Sequence, residues 1–240
     1  MTSRIAGNDK GLPLKLNFLL PNGDNVDIDV GLVLNAGFSG RLQEKVQAHI
    51  AELQQLGVAA PTVTPIMVPV SPYLAQQTTR VWVPHGHTSG EVEWALMVAS
   101  DRELFITLAC DHTDRALEVH GIGWSKNASP DVLSRSAWRL SEVEPHFDRL
   151  QLKAWVTHAS AEVGIQSAPV ADLLPPVYWI ELLRARGLLQ PGTILLSGTV
   201  NMHQGVDQFA NTWRAELSDP VLGRSMALNY DVKRLPDAIG

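Results

Sequence analysis

SGEVEWALMVA, residues 89–99, has the period-2 pattern of a β-strand and carries Glu91 and Glu93 two positions apart. Side chains at positions i and i+2 of a strand point to the same face, so the two carboxylates are expected on one face. A second apolar run, Leu104–Cys110, follows after the short segment 100–103, and this spacing predicts a β-hairpin. Asp111 directly follows the second run, so the hairpin places a third carboxylate near the same end.

Three carboxylates that converge without cations repel one another, whereas a divalent ion makes the same arrangement favourable. Magnesium, manganese and calcium prefer oxygen ligands, and zinc normally recruits histidine or cysteine. The sequence therefore predicts a site for a divalent ion, with Mg²⁺ first and Mn²⁺ or Ca²⁺ as alternatives. The competing interpretation is a solvent-exposed strand face, which is the ordinary place for a Glu-x-Glu pair.

Composition limits the classes of protein to consider. The chain has 240 residues, is 45% apolar and carries a net charge of −6, with its lysines and arginines scattered rather than clustered. One compact unit without a nucleic-acid-binding surface is expected. Cys110 is the single cysteine, which excludes an intrachain disulfide and fits a reducing cytoplasm. No run of about 18 apolar residues and no apolar signal region at residues 1–13 occur, so we expect a cytoplasmic protein that does not bind a membrane.

The first part of the chain predicts a hairpin, a helix and a connector. Residues 14–20 and 26–34 read as strands around a turn at 21–24. Residues 41–57 repeat apolar side chains at steps of three to four and end at a glycine, which predicts a helix. Residues 58–78 contain four prolines, which predicts an extended connector. We expect a single domain, 1–240, with the hairpin and helix in 1–57 and a metal-binding β-roll in 58–240.

The second part of the chain has a less regular pattern of apolar and polar residues. Residues 131–150 give mixed helical and loop signals, and residues 170–187 predict a helix that is interrupted or capped near Pro175 and Pro176 and ends at Gly187. Further strands are predicted at the following ranges: 81–83, 151–157, 193–196, 208–217 and 225–232.

Three motifs occur in a fixed order: SGEVE at 89–93, ACDHTDR at 109–115 and LQPGTILLSGT at 189–199. Their order and content resemble the fumarylacetoacetate hydrolase family, and SGEVEW with DHTDR is similar to a bacterial branch catalogued as a domain of unknown function. The resemblance covers roughly residues 60–235. It implies an α+β fold, a mixed β-roll flanked by helices, and a homodimer. The chain departs from the family pattern at Thr193, where an aspartate is usual.

The resemblance also implies roles for particular residues. Glu91, Glu93 and Asp111 are the implied metal ligands. Arg115 and Lys126 are the implied catalytic cations that face the anionic oxygens of a substrate, the first as a bidentate fork and the second as a point charge. Thr199 is implied beside the substrate, where it would donate its hydroxyl or backbone N–H.

The chemistry implied by the resemblance is metal-dependent hydrolysis of a carbon–carbon bond in a 1,3-dicarbonyl or 2-oxo acid compound, through an enolate stabilised by the metal. The same site also suits decarboxylation, hydration, isomerisation, or hydrolysis of an amide or lactone. A different class, a non-catalytic binding protein stabilised by metal, stays open as well. The expected partner is a small anionic oxo acid.

Hydrolysis requires a general base, and histidine is the simplest candidate because its pKa lies near neutrality. Four positions qualify by sequence: His85, His87, His112 and His203. His112 and His203 rank first because they flank the matched motifs. Each is also compatible with a purely structural role.

Overall fold

The computed structural model describes residues 14–55, 57, 60–100 and 102–239. The predicted absence of a signal at residues 1–13 lies outside the described residues. Within the described ranges the strands are Leu14–Leu19 (β1), Asn25–Val30 (β2), Leu32–Gly37 (β3), Ile66–Val70 (β4), Ala75–Gln76 (β5), Arg80–Val83 (β6), Thr88–Val98 (β7), Leu104–Asp114 (β8), Asp131–Arg139 (β9), Gln151–His158 (β10), Ala161–Pro169 (β11), Thr193–Leu196 (β12), Thr212–Asp219 (β13) and Arg224–Arg234 (β14).

Short helices lie between the strands. The α-helices are Gln43–Gln55 (α1), Ile122–Lys126 (α2), Leu140–Val143 (α3) and Pro176–Ala185 (α4), and the 3₁₀ helices are Pro72–Leu74, Glu118–His120, Glu144–Arg149 and Val170–Asp172. None of the helices in the described ranges is long and apolar enough to cross a membrane.

The described strands form two sheets. The larger one has the order β2-β1-β9-β8-β7-β12-β3-β4, with β5 also paired to β9, and the smaller one has the order β11-β10-β13-β14-β6. The larger sheet is mixed, because β12 pairs with β3 in parallel and with β7 in antiparallel orientation. The predicted α+β class and mixed β-roll are therefore confirmed. The division into segments 1–57 and 58–240 stays a prediction.

The hairpin of β7 and β8 lies in the middle of the larger sheet. Its two strands pair in antiparallel register with Glu91 opposite Asp111, which confirms the hairpin predicted from the sequence. Alternate residues of β7 face two different cores. Trp94 packs in the core that includes the small sheet, whereas Met97 packs in the core on the other face of the large sheet. Burial on both faces explains why this hairpin carries so few exposed polar residues.

Several local predictions need correction. Residues 131–139 form a strand, β9, rather than mixed helix and loop. The connector 58–78 contains the edge strand β4, where Pro69 is tolerated because β4 pairs only with β3. The run 26–34 contains two strands separated at Gly31. The helix predicted at 170–187 is confirmed as α4, which begins at Pro176 with Pro175 as its N-cap, and a 3₁₀ turn precedes it.

Candidate metal centre

Three carboxylates converge on one face of the β7–β8 hairpin. Oxygen atoms of Glu91, Glu93 and Asp111 lie within 4.8 Å of one another. Glu93 and Asp111 are fully buried, and the side chain of Glu91 is 13% exposed, so it forms the open side of the cluster. The i, i+2 spacing in β7 and the register with β8 bring these side chains together.

Glu93 is fully buried and has one oxygen without a hydrogen-bond partner among the described residues. Its Oε2 accepts a hydrogen bond from the backbone N–H of Gly198 at 2.7 Å, while its buried Oε1 has no hydrogen-bond partner among the described residues. Burial raises the pKa of Glu93 well above its ordinary value; Lys126 opposes this rise, and the neighbouring Asp111 and Glu91 carboxylates add to it. A divalent ion would satisfy the unused oxygen and remove the penalty for ionising it.

Gly198 holds its N–H toward Glu93 in a conformation that suits only glycine. Its φ is +79°, in the left-handed region, and a Cβ at this position would collide with Ser39 Oγ and lie 3.1 Å from the carbonyl oxygen of Ala36. Glycine at position 198 of the SGT sequence is therefore favoured by geometry as well as by resemblance.

Two cations contact the cluster. The ammonium of Lys126 forms ion pairs with Asp111 and, at 3.1 Å, with Glu91. Arg115 bridges two acids, with Nη2 at 2.7 Å from Glu91 and Nη1 at 2.8 Å from Glu118. Burial alone would raise the pKa of Glu91, but Lys126 and Arg115 outweigh it and lower that pKa to about 2. Glu91 is therefore ionised at neutral pH.

Lys126 is a permanent cation in this environment. Burial alone would lower its pKa, but Asp111, Glu91 and Glu93 outweigh that effect and raise the pKa well above the ordinary lysine value. A lysine that keeps its proton donates hydrogen bonds and positive charge, and it does not act as a base.

A fourth buried carboxyl, Asp131, lies beside Asp111 at the start of β9. The two residues are register partners, and Asp131 Oδ1 accepts a hydrogen bond from Asn35 Nδ2 at 2.9 Å. Burial and the charge of Asp111 raise the pKa of Asp131 well above its ordinary value, with Asn35 and Lys126 opposing the rise. Asp131 was not predicted as a site residue, because its place beside Asp111 depends on the pairing of β9 with β8, and no strand was predicted at 131–139.

The donor set fits a hard divalent cation. Every candidate ligand atom is a carboxylate oxygen, the type that Mg²⁺, Mn²⁺ and Ca²⁺ prefer. Five carboxyl groups, those of Glu91, Glu93, Asp111, Glu118 and Asp131, meet only two cationic side chains within this network. A dication offsets two of the three excess negative charges that these groups carry when ionised, and the unused Glu93 oxygen supplies a position for it.

A cavity of about 820 Å³ opens above the cluster. Glu91, Arg115, Glu118 and Lys126 line its floor, and the loop 197–211 and helix α1 contribute walls. Pockets of about 300–1,000 Å³ are typical for small-molecule ligands.

Thr199 also lines the cavity, and its hydroxyl is already committed. The hydroxyl donates to the carbonyl oxygen of Val92 at 2.7 Å and accepts from Gln166 Nε2 at 2.8 Å. Gln166 Oε1 in turn accepts from the N–H of Val92, so this buried amide joins β11, β7 and the loop that carries Thr199. Gln166 thus holds the Thr199 hydroxyl in place, and it was not predicted from the sequence.

The four candidate histidines lie in different environments. His112 is fully buried on the face opposite to Asp111, with Nδ1 at 3.0 Å from Tyr230 and Nε2 at 2.9 Å from Thr88. Burial and the charge of Arg115 lower the pKa of His112 to about 3, so its ring is neutral and both nitrogens are engaged. The structure does not bring His112 to the cluster, because adjacent residues of a strand point to opposite faces.

His203 is exposed and lines the cavity. Its Nδ1 lies 3.2 Å from the carbonyl oxygen of Gly164, so Nδ1 carries the proton of the neutral ring and leaves Nε2 as an acceptor. His85 instead contacts the buried carboxylate of Asp114 at 3.1 Å, and His87 packs against Phe209. Among the four, His203 is the one that lines the cavity.

The strand arrangement matches that of solved structures with a fumarylacetoacetate hydrolase-like fold. The chain belongs to the family described as protein of unknown function (DUF2848), whose model matches residues 36–230. No curated protein matches the sequence.

Solved structures share the fold at low sequence identity. Cg1458 bound to an inhibitor is 17% identical, with a TM-score of 0.64 over 87% of this chain and 78% of that chain. The 2-keto-3-deoxy-D-arabinonate dehydratase complexed with magnesium and 2,5-dioxopentanoate is 17% identical, with a TM-score of 0.59 over 88% and 77%. The 4-oxalocrotonate decarboxylase from Pseudomonas putida G7, complexed with magnesium and adipate, is 14% identical, with a TM-score of 0.51 over 86% and 78%.

Proposed function

We propose that the protein is a divalent-metal-dependent hydrolase that cleaves a carbon–carbon bond in a 1,3-dicarbonyl or 2-oxo acid substrate. The observation that carries the proposal is the cluster of Glu91, Glu93 and Asp111, whose oxygens lie within 4.8 Å of one another beneath a cavity of about 820 Å³. The unused Glu93 oxygen supports a cation at this position.

Glu91, Glu93 and Asp111 would hold the ion, with Mg²⁺ as the first candidate. When bound, it supplies Lewis-acid stabilisation for negative charge on the oxygens of an oxo acid. The magnesium complexes of two proteins of the same fold support this choice of ion.

Arg115 and Lys126 would attract and orient the anionic end of the substrate. Both are permanent cations that line the cavity floor, and their ion pairs with Glu91 fix their positions. Because the Thr199 hydroxyl already donates to Val92, we propose the Thr199 backbone N–H as the group offered to a substrate oxygen.

Two groups that line the cavity are proposed for proton transfer. Glu118 ranks first because Arg115 holds its Oε1 in place and because its pKa is raised above the ordinary value. Burial and the charge of Glu91 raise this pKa, and the charge of Arg115 opposes the rise. A raised carboxyl pKa suits a general base that must also return the proton. His203 Nε2 is the second candidate. The base removes a proton from water as the water oxygen bonds to the carbonyl carbon, and the proton passes to the carbon released when the carbon–carbon bond breaks.

The test is a product assay with protein loaded with Mg²⁺, Mn²⁺ or Ca²⁺. An acylpyruvate such as acetylpyruvate is expected to give acetate and pyruvate, and chelation with EDTA is expected to abolish turnover. Oxaloacetate, a 2-oxo-3-deoxy sugar acid and a lactone in the same panel detect decarboxylation, dehydration and ester hydrolysis. Binding of oxalate without turnover of any compound would favour a binding protein, and absence of metal binding would contradict the whole proposal.

The resemblance also leads us to propose a homodimer and a cytoplasmic location. Light scattering on the purified protein measures the first, and fractionation of cells that produce it measures the second. A monomer at micromolar concentration would contradict the dimer without affecting the metal site.

A further inference from the structure

The cavity above the carboxylate cluster has charged groups on its floor and apolar side chains on its walls. The apolar walls come from four parts of the chain: residues 36–46, which end in the first turn of α1, the segment between β8 and the end of α2, residues 168–173, and the loop 197–211. Their side chains include those of Leu42, Val46, Val119, Ile122, Met202 and Phe209. A ligand that reaches the floor therefore passes between apolar surfaces.

Three of these wall residues are unusually exposed for their type. Leu42 is 56% exposed, Val119 is 47% exposed and Phe209 is 40% exposed. Single exposed apolar residues are ordinary, but exposed apolar side chains that line one cavity form a patch of the kind that binds ligands. Their position favours a ligand that covers them while its charged end contacts the floor.

The size of the cavity also favours a ligand with an apolar part. Its volume of about 820 Å³ lies in the upper part of the range for pockets that hold drug-sized molecules. An oxo acid of three or four carbons at the floor leaves most of this space and the apolar walls uncovered.

The remaining charges along the walls do not form a second anion site. Lys45 on α1 and Asp172 both line the cavity, and they carry opposite charges on exposed residues. A second carboxylate on the ligand gains little from Lys45 in the presence of Asp172, because exposed charges are screened by water and salt.

We infer that the substrate is an oxo acid with a single carboxylate and an apolar chain of several carbons, the acid end at Arg115 and Lys126 and the chain against Leu42, Val119 and Phe209. This inference rests on the proposed function, since it places the substrate on the same floor.

The test measures binding rather than turnover. Isothermal titration calorimetry on the Mg²⁺-loaded protein compares oxalate, N-butyl oxamate, N-hexyl oxamate and N-(3-carboxypropyl) oxamate, which share the oxo acid head. Each added methylene is expected to tighten binding by about two- to fourfold, the upper value being that of complete burial of a methylene. The carboxypropyl compound is expected to bind more weakly than the butyl compound.

Variants locate the chain-binding surface. Leu42→Ser and Phe209→Ser are expected to remove most of the gain from butyl to hexyl while oxalate affinity stays within about twofold. Leu222→Ser is the matched control, because Leu222 is 50% exposed in the turn between β13 and β14, away from the cavity lining. Thermal unfolding of each variant verifies that it is folded.

The results separate this inference from the proposed function. Oxalate binding with equal affinity for the butyl and hexyl compounds overturns the apolar chain and leaves the metal site standing. Tighter binding of the carboxypropyl compound also overturns it, in favour of a dicarboxylate. If neither oxalate nor any oxamate binds, the proposed function fails, and this inference fails with it.

Discussion

Replacement of Glu93 by glutamine separates metal binding from folding. Glutamine has the shape of glutamate, so its carbonyl oxygen is expected to keep the hydrogen bond from Gly198 N–H. Its amide nitrogen then occupies the place of the unused Oε1 and donates toward the neighbouring carboxylates. The metal-free variant is expected to be at least as stable as the wild type at pH 7, because burial and two neighbouring carboxylates oppose ionisation of Glu93.

Added Mg²⁺ is expected to distinguish the two proteins. At a free concentration of 100 times Kd, binding stabilises the wild type by about 2.7 kcal/mol. For a chain of this length, that corresponds to a rise in Tm of roughly 5–11 °C. Loss of a carboxylate ligand that weakens binding by about 100-fold leaves only about 0.4 kcal/mol at the same Mg²⁺ concentration, or roughly 1–2 °C.

The assay is thermal unfolding followed by circular dichroism, with EDTA and then with a Mg²⁺ series. Glu181→Gln is the matched control, because Glu181 lies exposed on α4 and has no place in the cluster. A full Mg²⁺-dependent rise in Tm for Glu93→Gln would refute the assignment of Glu93 as a ligand. A metal-free variant destabilised by more than about 2 kcal/mol would refute the account of its buried carboxyl.

Three further predictions concern catalysis, acid stability and the loop at the site. Glu118→Gln is expected to lower kcat by about 10²–10⁴-fold, while its affinity for oxalate changes less than about threefold. His203→Gln is expected to leave kcat within about threefold of the wild type. A large loss of kcat in His203→Gln and a small one in Glu118→Gln would make His203 the base. Because the pKa of Glu91 is lowered from 4.5 to about 2, its ion pairs stabilise the metal-free protein above pH 4.5 by about 3 kcal/mol, and this is lost as pH falls through 2. Urea unfolding of wild type and Glu91→Gln between pH 2 and 6 measures that difference, and parallel pH profiles would contradict it. Gly198→Ala is expected to lower the free energy of unfolding by about 1–3 kcal/mol more than Gly205→Ala, because Gly205 has a similar positive φ but open space around it. Equal decreases for the two variants in denaturant unfolding would show that the contact with Ser39 is unimportant.

Local predictions succeeded where the pattern of one or two adjacent segments was sufficient. The β7–β8 hairpin, β12 and α1 follow from alternation, a short turn and helical spacing. β9 was mistaken because Trp138 and Leu140 continue into a helical region with apolar spacing of three to four residues. The edge strands β4 and β11 exist through pairing with β3 and β10, which a local pattern does not reveal.

The period of two in a strand also indicates which way His112 faces. If Asp111 faces the metal site, His112 must face the other core, and the structure places it against Tyr230 and Thr88. Glu118, in contrast, carries no sequence signal beyond its place three residues after Arg115. Its position in the cavity depends on the 3₁₀ turn that carries it and on the ion pair with Arg115.

The sequence by itself determined that Glu91 and Glu93 share a face and that Asp111 meets them, because side-chain direction in a strand has a period of two and a short turn fixes the register. Only the tertiary structure decided which cations neutralise them, that Gly198 binds Glu93, and that Asp131 lies beside Asp111. Those contacts join segments tens of residues apart in the chain, so they depend on strand pairing within the larger sheet and on the packing of α2 against it, and not on any local periodicity.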